Sequence, residues 1–354
     1  MRITFVIPFA GLSGGLRVVA TYARILQARG HAVTVVSQPL PPPRRDPRSL
    51  VRRLIGRGPR PPVTIPFDFL GAGHRIARRA GSLEAADVPD GDVVVATWWE
   101  TAEWVAALPA AKGRKAYLLQ GYETWPPLDE KRTVATYRLG LHMIAVSNYI
   151  RDVISVNHGI DGIAVVPNAV DLSQFDVPPR GRGDPLRVGF LYTTVPIKNV
   201  GLAIAAVAEA RRRRPDLEAL SFGINAPGPA LPLPDWVRFA RNPPPEEISR
   251  LYAACDAWLI TSDHEGFGLP ILEAMACRTP VLSTRFGAAP DLIDGTNGTL
   301  LPSDAGAFAA EIVRHAEMGE AEWRARSEAA RARAESWTWD MATDRLLAEL
   351  GDAR

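Results

Sequence analysis

Two glutamates, Glu265 and Glu273, are separated by seven residues in a segment that follows an apolar stretch of sequence. Between them, Gly266 and Gly268 let the backbone turn tightly and approach a ligand closely. Pro270 suits the first turn of a helix, whose free N–H groups and positive dipole end attract an anion. The segment therefore predicts a phosphate-binding turn that carries two acidic side chains.

Glu273 belongs to a predicted helix in which residues 271–276 are otherwise apolar, so we expect this helix to be buried. A buried carboxylate needs hydrogen-bond donors. A carboxylate that binds ligand hydroxyls explains the pattern better than a thin solvent-facing stripe does. Glu265 follows a predicted strand, and open α/β sheets bind ligands at the carboxyl ends of their strands. Taken alone, Glu265 also suits an exposed loop.

The segment from Glu265 to Cys277, E-G-F-G-L-P-I-L-E-A-M-A-C, resembles the signature of retaining GT-B glycosyltransferases of family 4. The resemblance continues in V-P-N-A-V-D-L-S-Q-F at residues 166–175, in I-D-G-T-N-G-T-L-L-P at residues 293–302 and in an early glycine pair. It covers most of the chain. The fold that it implies is α/β of the GT-B class, with two Rossmann-like domains facing each other across a cleft.

The resemblance implies a role for each matching residue of the donor site. Glu265 faces the donor sugar, and Glu273 accepts hydrogen bonds from the ribose hydroxyls. The backbone from Phe267 to Leu269 helps to hold sugar and phosphate. The glycine pair, Gly14 and Gly15, approaches the donor diphosphate from the N-terminal domain. Taken alone, a glycine pair indicates only a turn.

The chain departs from the family pattern where the leaving diphosphate binds. The family usually has an Arg just after the first strand of the second domain and a Lys before the next helix. Here Phe190 stands in place of the Arg, whereas Lys198 keeps the Lys position. We expect Tyr192, Thr193 and Thr194 to supply hydrogen bonds instead. An exposed loop cation is the other interpretation of Lys198, but its place at a helix start favours phosphate binding.

A second departure concerns the N-terminal domain, where many relatives place a His near the donor sugar and this chain has Gln120. The stretch Q-G-Y-E resembles a branch of family 4 that includes rhamnosyltransferases of surface polysaccharide synthesis. Gln120, Tyr122 and Glu123 either contact sugar or acceptor, or pack on the wall of the cleft. Trp98 follows another predicted strand and either stacks on an acceptor sugar or packs in the core.

The function implied by the resemblance is retaining transfer of a sugar from a nucleotide-diphosphate donor to a hydroxyl of a saccharide or lipid-linked acceptor, in cell-surface glycan synthesis. Glu265 and Lys198 are the residues assigned to catalysis, mostly by positioning and by charge. We expect no cofactor, no metal and no nucleic-acid partner. Two other functions stay open: a GT-B sugar-nucleotide epimerase, and a carbohydrate-binding homologue that has lost transfer activity.

The length of 354 residues suits two α/β domains, and 47% hydrophobic with 23% charged residues is ordinary for such a chain. We predict an acceptor-binding domain at residues 1–178 and a nucleotide-sugar-binding domain at residues 179–335. The prolines, glycines and charges between Phe175 and Pro185 indicate a linker. Residues 336–354 are predicted to form a helix that packs back on the first domain.

Apolar runs alternating with helical patterns predict two mainly parallel sheets. In the first domain the predicted strands are Ile3–Phe9, Ala32–Val36, Val93–Ala96, Ala116–Leu119, Met143–Val146 and Ile163–Val166, with a helix over Leu16–Ala28. In the second they are Arg187–Tyr192, Ala219–Gly223, Val237–Phe239, Ala257–Thr261 and Pro280–Ser283, with helices over Val200–Arg212 and Glu246–Ala254.

The chain shows no run of eighteen apolar residues and no export signal, so we expect a cytoplasmic protein. Between Pro41 and Pro62, seven arginines oppose only Asp46. This segment is either a solvated surface loop or, over Arg44–Arg60, a patch that holds the protein on anionic lipid headgroups. The apolar residues between its arginines would give a short helix one apolar side.

Two local features concern stability. Cys255 and Cys277 stand in apolar surroundings, which is typical of buried structural cysteines. Arg278 follows where relatives commonly have a helix-ending Gly. A left-handed conformation costs a non-glycine residue roughly 1 kcal/mol, so either the helix ends differently or Arg278 makes a compensating contact.

Overall fold

The computed structural model describes residues 1–11, 13–39, 67–125 and 128–352, so the predicted membrane segment Arg44–Arg60 lies outside the described residues. The chain forms two compact units. The first comprises Met1–Ile144, Ile160–Ala164 and Thr343–Arg354, and the second comprises Ala145–Gly159 and Val165–Ala342. The domain limits given above, at residues 178 and 335, stay a prediction.

The first sheet has seven strands in the order β3-β2-β1-β4-β5-β6-β7, and the pairs from β3 to β5 are parallel. Its strands are β1 Arg2–Ile7, β2 Ala32–Ser37, β3 His74–Ile76, β4 Val93–Ala96, β5 Arg114–Leu119, β6 His142–Ala145 and β7 Ala164–Val165.

The second sheet has six parallel strands in the order β10-β9-β8-β11-β12-β13. Its strands are β8 Arg187–Leu191, β9 Glu218–Gly223, β10 Val237–Arg241, β11 Ala257–Ile260, β12 Val281–Ser283 and β13 Gly298–Leu300.

Helices lie between many of the strands, and three helices follow β13 in succession. They are α1 Gly14–Ala28, α2 Trp99–Ala107, α3 Glu130–Thr136, α4 Asn148–His158, α5 Val200–Arg213, α6 Pro245–Ala253, α7 Leu269–Ala276, α8 Ala289–Leu292, α9 Ala305–Glu317, α10 Glu320–Glu335 and α11 Trp339–Asp352. Short 3₁₀ turns lie between several of these elements, including one at Pro196–Lys198.

The predicted α/β class with two Rossmann-like parallel sheets is confirmed, and each predicted strand is present within two residues of its predicted limits. The strands could be predicted because a strand that is covered on both faces appears in the sequence as a continuous apolar run. Two strands were missed. β3 is three residues long and largely exposed, and β13 is equally short, so neither leaves an apolar run in the sequence.

Helix α1 begins two residues earlier than predicted, because Gly14 and Gly15 form its first turn instead of a preceding loop. The cause is Ser13, whose hydroxyl accepts a hydrogen bond from the N–H of Leu16 at 3.3 Å and so caps the helix. Past its end, Gly30 takes a left-handed conformation with φ of 83°, as glycines that end helices commonly do.

The two cysteines are buried and free, as predicted, and burial raises the pKa of both thiols, that of Cys277 to about 12. Arg278 is left-handed, with φ of 59°, and makes compensating contacts. Its Nε donates to the Val177 carbonyl at 3.1 Å, and its guanidinium pairs with Glu328. Among the described residues, no helix is both long and apolar enough to cross a membrane.

One buried carboxylate, that of Asp256, makes several of the contacts that hold the segment predicted as a linker in the second unit. The backbone N–H groups of Gly183 and Arg187 each donate to it at 2.8 Å. Arg180 pairs with it at 3.0 Å, and the ring of Trp323 lies 4.6 Å from the Arg180 guanidinium. This carboxylate therefore fixes the chain as it enters β8.

Asp256→Ala is expected to lower the free energy of unfolding of the second unit by about 3 kcal/mol, because a buried cation and two backbone donors lose their acceptor. Chemical denaturation followed by tryptophan fluorescence measures the change. Asp216→Ala is the control, since it removes an exposed carboxylate paired with Arg214 and should leave stability almost unchanged. Equal effects of the two substitutions would contradict the assigned role of Asp256.

Candidate functional site

Lys198 and Glu265, the two residues assigned to catalysis, form an ion pair in the second unit. Lys198 ends the 3₁₀ turn that follows β8, and Glu265 lies in the loop that follows β11. Lys198 Nζ lies 2.9 Å from Glu265 Oε2, with the side chains 29% and 10% exposed respectively. Because both groups are largely shielded from water, each partner compensates for the lost hydration of the other.

The pair lies at the position where ligands bind in open parallel sheets. Strands β8 and β11 are neighbours, and the strand order runs outward in opposite directions from this point. Such a switch point leaves a crevice at the carboxyl ends of the strands. A cavity there is lined by both members of the pair and also by Phe190, Thr193, Thr261, Ser262 and Pro270.

Neighbouring hydroxyl groups hold the ion pair in place. Ser262 Oγ donates to Glu265 Oε1 at 2.6 Å, so each carboxylate oxygen of Glu265 has a partner. Thr261 Oγ1 donates to the carbonyl oxygen of Asn199 at 2.9 Å, next to Lys198. The sequence did not point to Ser262 and Thr261, although both directly follow the apolar run of β11.

The loops that carry Lys198 and Glu265 are also joined directly. The N–H of Asp263 donates to the Ile197 carbonyl at 2.9 Å, and Asn199 Nδ2 donates to Asp263 Oδ1 at 3.2 Å. Asn199 is left-handed, with φ of 44°, a conformation that Asn tolerates better than most residues. The position of Lys198 is therefore set by the loop that carries its partner.

Phe190 stands at the position where the family has an Arg. Its side chain is buried in the core of the second unit, and Phe190 is one of the residues that line the cavity. Of the residues predicted to replace the Arg, Thr193 lines the cavity. The hydroxyl of Tyr192 instead donates to the Leu231 carbonyl at 2.5 Å, and its ring packs against Phe239. The phosphate contacts predicted for Tyr192 and Thr193 stay predictions.

Helix α7 begins beside the cavity, because Pro270 in its first turn is one of the lining residues. Gly268 precedes it with φ of 96°, and a Cβ at this position would lie 2.7 Å from the Phe286 ring. Only glycine satisfies both conditions. Phe267 is buried and packs 5.9 Å from the Trp337 ring, which leaves the backbone from Phe267 to Leu269 to form the turn.

Glu273 lies on α7 and is 8% exposed, so the predicted burial of this carboxylate is confirmed. Its Oε2 accepts a hydrogen bond from the hydroxyl of Tyr252 at 2.9 Å. Tyr252, on α6, was not identified from the sequence. A tyrosine on an amphipathic helix indicates core packing, and no spacing rule relates α6 to α7.

The first-unit residues assigned to the donor diphosphate follow β1, and those assigned to sugar or acceptor contact follow β4 and β5. These three strands are neighbours in the first sheet. Gly15 and Gln120 are brought together, since a Cβ on Gly15 would lie 3.0 Å from Gln120 Oε1. That buried oxygen has no hydrogen-bond partner among the described residues. Gly14 has open space where a Cβ would be, and Trp98 is half-buried directly before α2.

Glu123 lies inside the first unit and is 3% exposed, whereas Tyr122 is half-buried. Glu123 Oε2 accepts a hydrogen bond from the N–H of Trp99 at 3.3 Å, at the start of α2. Burial raises the pKa of Glu123 well above its ordinary value. Burial and the nearby Glu123 carboxylate together raise the pKa of Tyr117 and Tyr137. Contact of Glu123 with a sugar stays a prediction.

Two family profiles match the chain in succession. Residues 12–174 match the family described as Glycosyltransferase Family 4, and residues 185–317 match the family described as Glycosyl transferases group 1. Together the two matches cover most of the chain. The chain belongs to the family 4, group 1 glycosyltransferases.

Relatives of this family 4 chain include two proteins named D-inositol 3-phosphate glycosyltransferase. The Acidothermus cellulolyticus protein is 28% identical over 401 residues, covering 98% of this chain and 87% of the relative. The Actinosynnema mirum protein is 29% identical over 217 residues, covering 54% of this chain and 52% of the relative. The match thus spans about half the length of the second relative. The rhamnosyltransferase branch stays a prediction.

The fold of this family 4 chain is shared with solved structures. The Anabaena protein HepE, in complex with UDP, has a TM-score of 0.75 at 17% identity, with both chains fully covered. At this identity the likeness shows the fold, and it is the predicted GT-B class of two Rossmann-like units.

Glu123→Gln is expected to make the stability of this glycosyltransferase less dependent on pH. A carboxyl whose pKa is raised by folding stabilises the folded state below its unfolded pKa, near 4.3, and loses that contribution as pH rises towards the folded pKa. Glutamine mimics the protonated carboxyl. The unfolding temperature of the wild type should therefore fall relative to that of Glu123→Gln between pH 5 and pH 8.

The loss in the wild type is at most about 1.4 kcal/mol for each pH unit within that window. Thermal unfolding at several pH values measures it. Glu130→Gln is the matched control, because it removes an equal charge from an exposed position on α3. Parallel curves for the wild type and Glu123→Gln would show that Glu123 has no raised pKa.

Proposed function

We propose that this family 4 protein transfers a sugar from a nucleotide-diphosphate donor to a hydroxyl of a saccharide or lipid-linked acceptor, with retention of the anomeric configuration. The observation that carries the proposal is the ion pair of Lys198 and Glu265, held beside the first turn of α7 at the switch point of the second sheet. A cation, a carboxylate and a helix N-terminus at one position suit an anionic sugar donor.

In this proposal the donor phosphates bind Lys198 and the N–H groups at the start of α7. A diphosphate carries more negative charge than one carboxylate, so it competes with Glu265 for the Lys198 ammonium. Glu265 then turns one oxygen towards the hydroxyls of the donor sugar. Glu273 accepts hydrogen bonds from the ribose hydroxyls. The Anabaena HepE structures with UDP and with UDP-glucose support a nucleotide sugar as the donor class.

The transfer step breaks the bond between the anomeric carbon and the diphosphate oxygen. The acceptor hydroxyl forms its new bond to that carbon on the face that the diphosphate leaves, and a leaving phosphate oxygen takes the hydroxyl proton. Charge develops on the diphosphate as the bond breaks. Lys198 and α7 stabilise this charge, and because they are already in place, little reorganisation is needed during the reaction.

Phe190 stands where relatives have an Arg, so Lys198 is the cation among the described residues that line the cavity. Thr193, which lines the same cavity, is a neutral hydrogen-bond donor. Charge-assisted hydrogen bonds are about twice as strong as neutral ones. We therefore propose that affinity for the diphosphate depends more strongly on Lys198 here than in relatives that also have the Arg.

We further propose that the first unit binds the acceptor near Trp98 and Gln120, which follow the neighbouring strands β4 and β5. The protein would act in the cytoplasm on a cell-surface glycan precursor. Contact with the membrane through Arg44–Arg60 is part of this proposal and concerns residues outside the described ranges.

Nucleotide binding is expected to separate the roles of Lys198 and Glu273. Calorimetry with UDP, GDP and dTDP identifies the nucleotide that binds the wild type. Lys198→Met should weaken the binding of that nucleoside diphosphate at least about tenfold, or about 1.4 kcal/mol. It should have little effect on the binding of the nucleoside, which has no phosphate. Glu273→Ala should weaken both, because the nucleoside retains the ribose. Lys131→Met and Glu317→Ala are controls that remove exposed charges elsewhere.

If no nucleoside diphosphate binds the wild type, the proposed donor site is wrong. If Lys198→Met binds as the wild type does, the cation at this site does not hold phosphate.

Turnover is expected to require an acceptor and to depend on Glu265. Glu265→Gln keeps the shape of the side chain but loses its charge, and it should lower kcat by about 100-fold or more with donor affinity within a few-fold of the wild type. Release of nucleoside diphosphate from the sugar donor, with and without saccharide acceptors, measures this. NMR of the product gives the anomeric configuration. Conversion of the sugar nucleotide without an acceptor would instead indicate an epimerase.

A further inference from the structure

Tyr252 touches the proposed donor site through one hydrogen bond. Its hydroxyl donates to Glu273 Oε2 at 2.9 Å, and the two residues are 1% and 8% exposed. A carboxylate that is buried to this extent loses most of its hydration, so each hydrogen bond that it accepts has a large effect on its orientation. The bond links α6 to α7 at the carboxylate that is proposed to bind ribose.

The position of the Tyr252 hydroxyl is fixed by aromatic packing. The centroid of its ring lies 4.5 Å from that of Trp258 and 5.6 Å from that of Phe222, with the rings tilted by 61° and 89°. Edge-to-face contacts of this kind are favourable beyond the area that they bury. The ring of Phe175 packs on it at 6.1 Å. Tyr252 therefore has little freedom to move its hydroxyl away from Glu273.

The backbone around Tyr252 is held as well. Its carbonyl oxygen accepts a hydrogen bond at 2.9 Å from the hydroxyl of Thr279, which follows α7. Tyr252 thus bonds to the α7 region twice, once through its side chain and once through its backbone. The carboxylate of Glu273 is oriented by a group that is itself immobile.

We infer that Tyr252 is a positioning residue for the donor ribose: by donating to Glu273 Oε2, it sets the orientation in which the Glu273 carboxylate accepts hydrogen bonds from the ribose hydroxyls. This inference rests on the ribose role proposed above for Glu273. A carboxylate has about four acceptor positions, so Glu273 can accept from Tyr252 and from a ribose hydroxyl at the same time.

A purely structural role for Tyr252 has different consequences. If the hydroxyl only stabilised the fold, its removal would lower the unfolding temperature. It would then weaken the binding of every ligand of the second unit alike, or of none. If the hydroxyl orients Glu273, its removal weakens only ligands that present ribose hydroxyls. Both roles predict a lower unfolding temperature, so stability alone does not distinguish them. A comparison of ligands with and without ribose hydroxyls does.

The experiment uses Tyr252→Phe, which removes one oxygen and keeps the ring in its aromatic contacts. Calorimetry compares the wild type and the variant with UDP or GDP, whichever binds the wild type more tightly, with its 2′,3′-dideoxy analogue and with inorganic pyrophosphate. We expect the variant to bind the nucleoside diphosphate about tenfold more weakly. Its affinities for the dideoxy analogue and for pyrophosphate should stay within about twofold of the wild type.

Ser327→Ala is the matched control. It removes another buried hydroxyl of the second unit, one that donates to the Arg278 carbonyl at 2.7 Å away from Glu273. It should lower stability without changing the affinity for any of the three ligands. In steady-state kinetics, Tyr252→Phe should raise the KM for the sugar nucleotide and leave kcat nearly unchanged, because the ribose does not take part in the reaction.

A second measurement tests the same inference through Glu273. In a Glu273→Gln background, adding Tyr252→Phe should change nucleotide affinity by less than about twofold, because the two residues act through one contact. The inference is overturned if Tyr252→Phe weakens the dideoxy analogue as much as the normal nucleotide, if it weakens neither, or if its effect persists in Glu273→Gln. A wild type that binds none of UDP, GDP and dTDP overturns the proposed function itself, which is a separate and visible result.

Discussion

A lysine and a glutamate that are largely shielded from water must each have a partner, and without a bound ligand Lys198 and Glu265 are partners for each other. Their pairing determines much of the second unit around them. Leaving either charge alone would cost several kcal/mol. The two loops are therefore fixed to each other by the Asp263 N–H and the Thr261 hydroxyl, and Ser262 holds the remaining Glu265 oxygen. Strands β8 and β11 must be neighbours for these loops to meet.

The same requirement explains the unusual backbone conformations of the site. Asn199 is left-handed because the chain must turn from the Lys198 position directly into α5, and its side chain returns to Asp263. Gly268 is left-handed because α7 must begin against the Phe286 ring.

The sequence predicted most of the fold and the central acidic residues of the site, each for an identifiable physical reason. Strands buried on both faces leave apolar runs, whereas β3 and β13 are too short to do so. Glu265 was found because glycines and a proline mark its loop, and Glu273 because it is the charged residue of an otherwise apolar helix. Tyr252 was missed because its partner is 21 residues away on another helix, a contact that only tertiary packing creates. The sequence left open whether Glu123 contacts a sugar or packs on the wall of the cleft, because the composition of a loop does not determine how deeply each side chain is buried.

Because Cys255 and Cys277 are buried, the reactivity of their thiols can be used to measure local opening of the surrounding structure. These are the two cysteines of the whole sequence, and both lie in the second unit. A buried thiol with a raised pKa is almost inert to alkylating reagents until the surrounding structure opens. The rate of thiol labelling therefore reads the local opening of the second unit alone, without any introduced label. A ligand that closes or rigidifies this unit would slow the labelling, even where it leaves the rest of the chain unchanged.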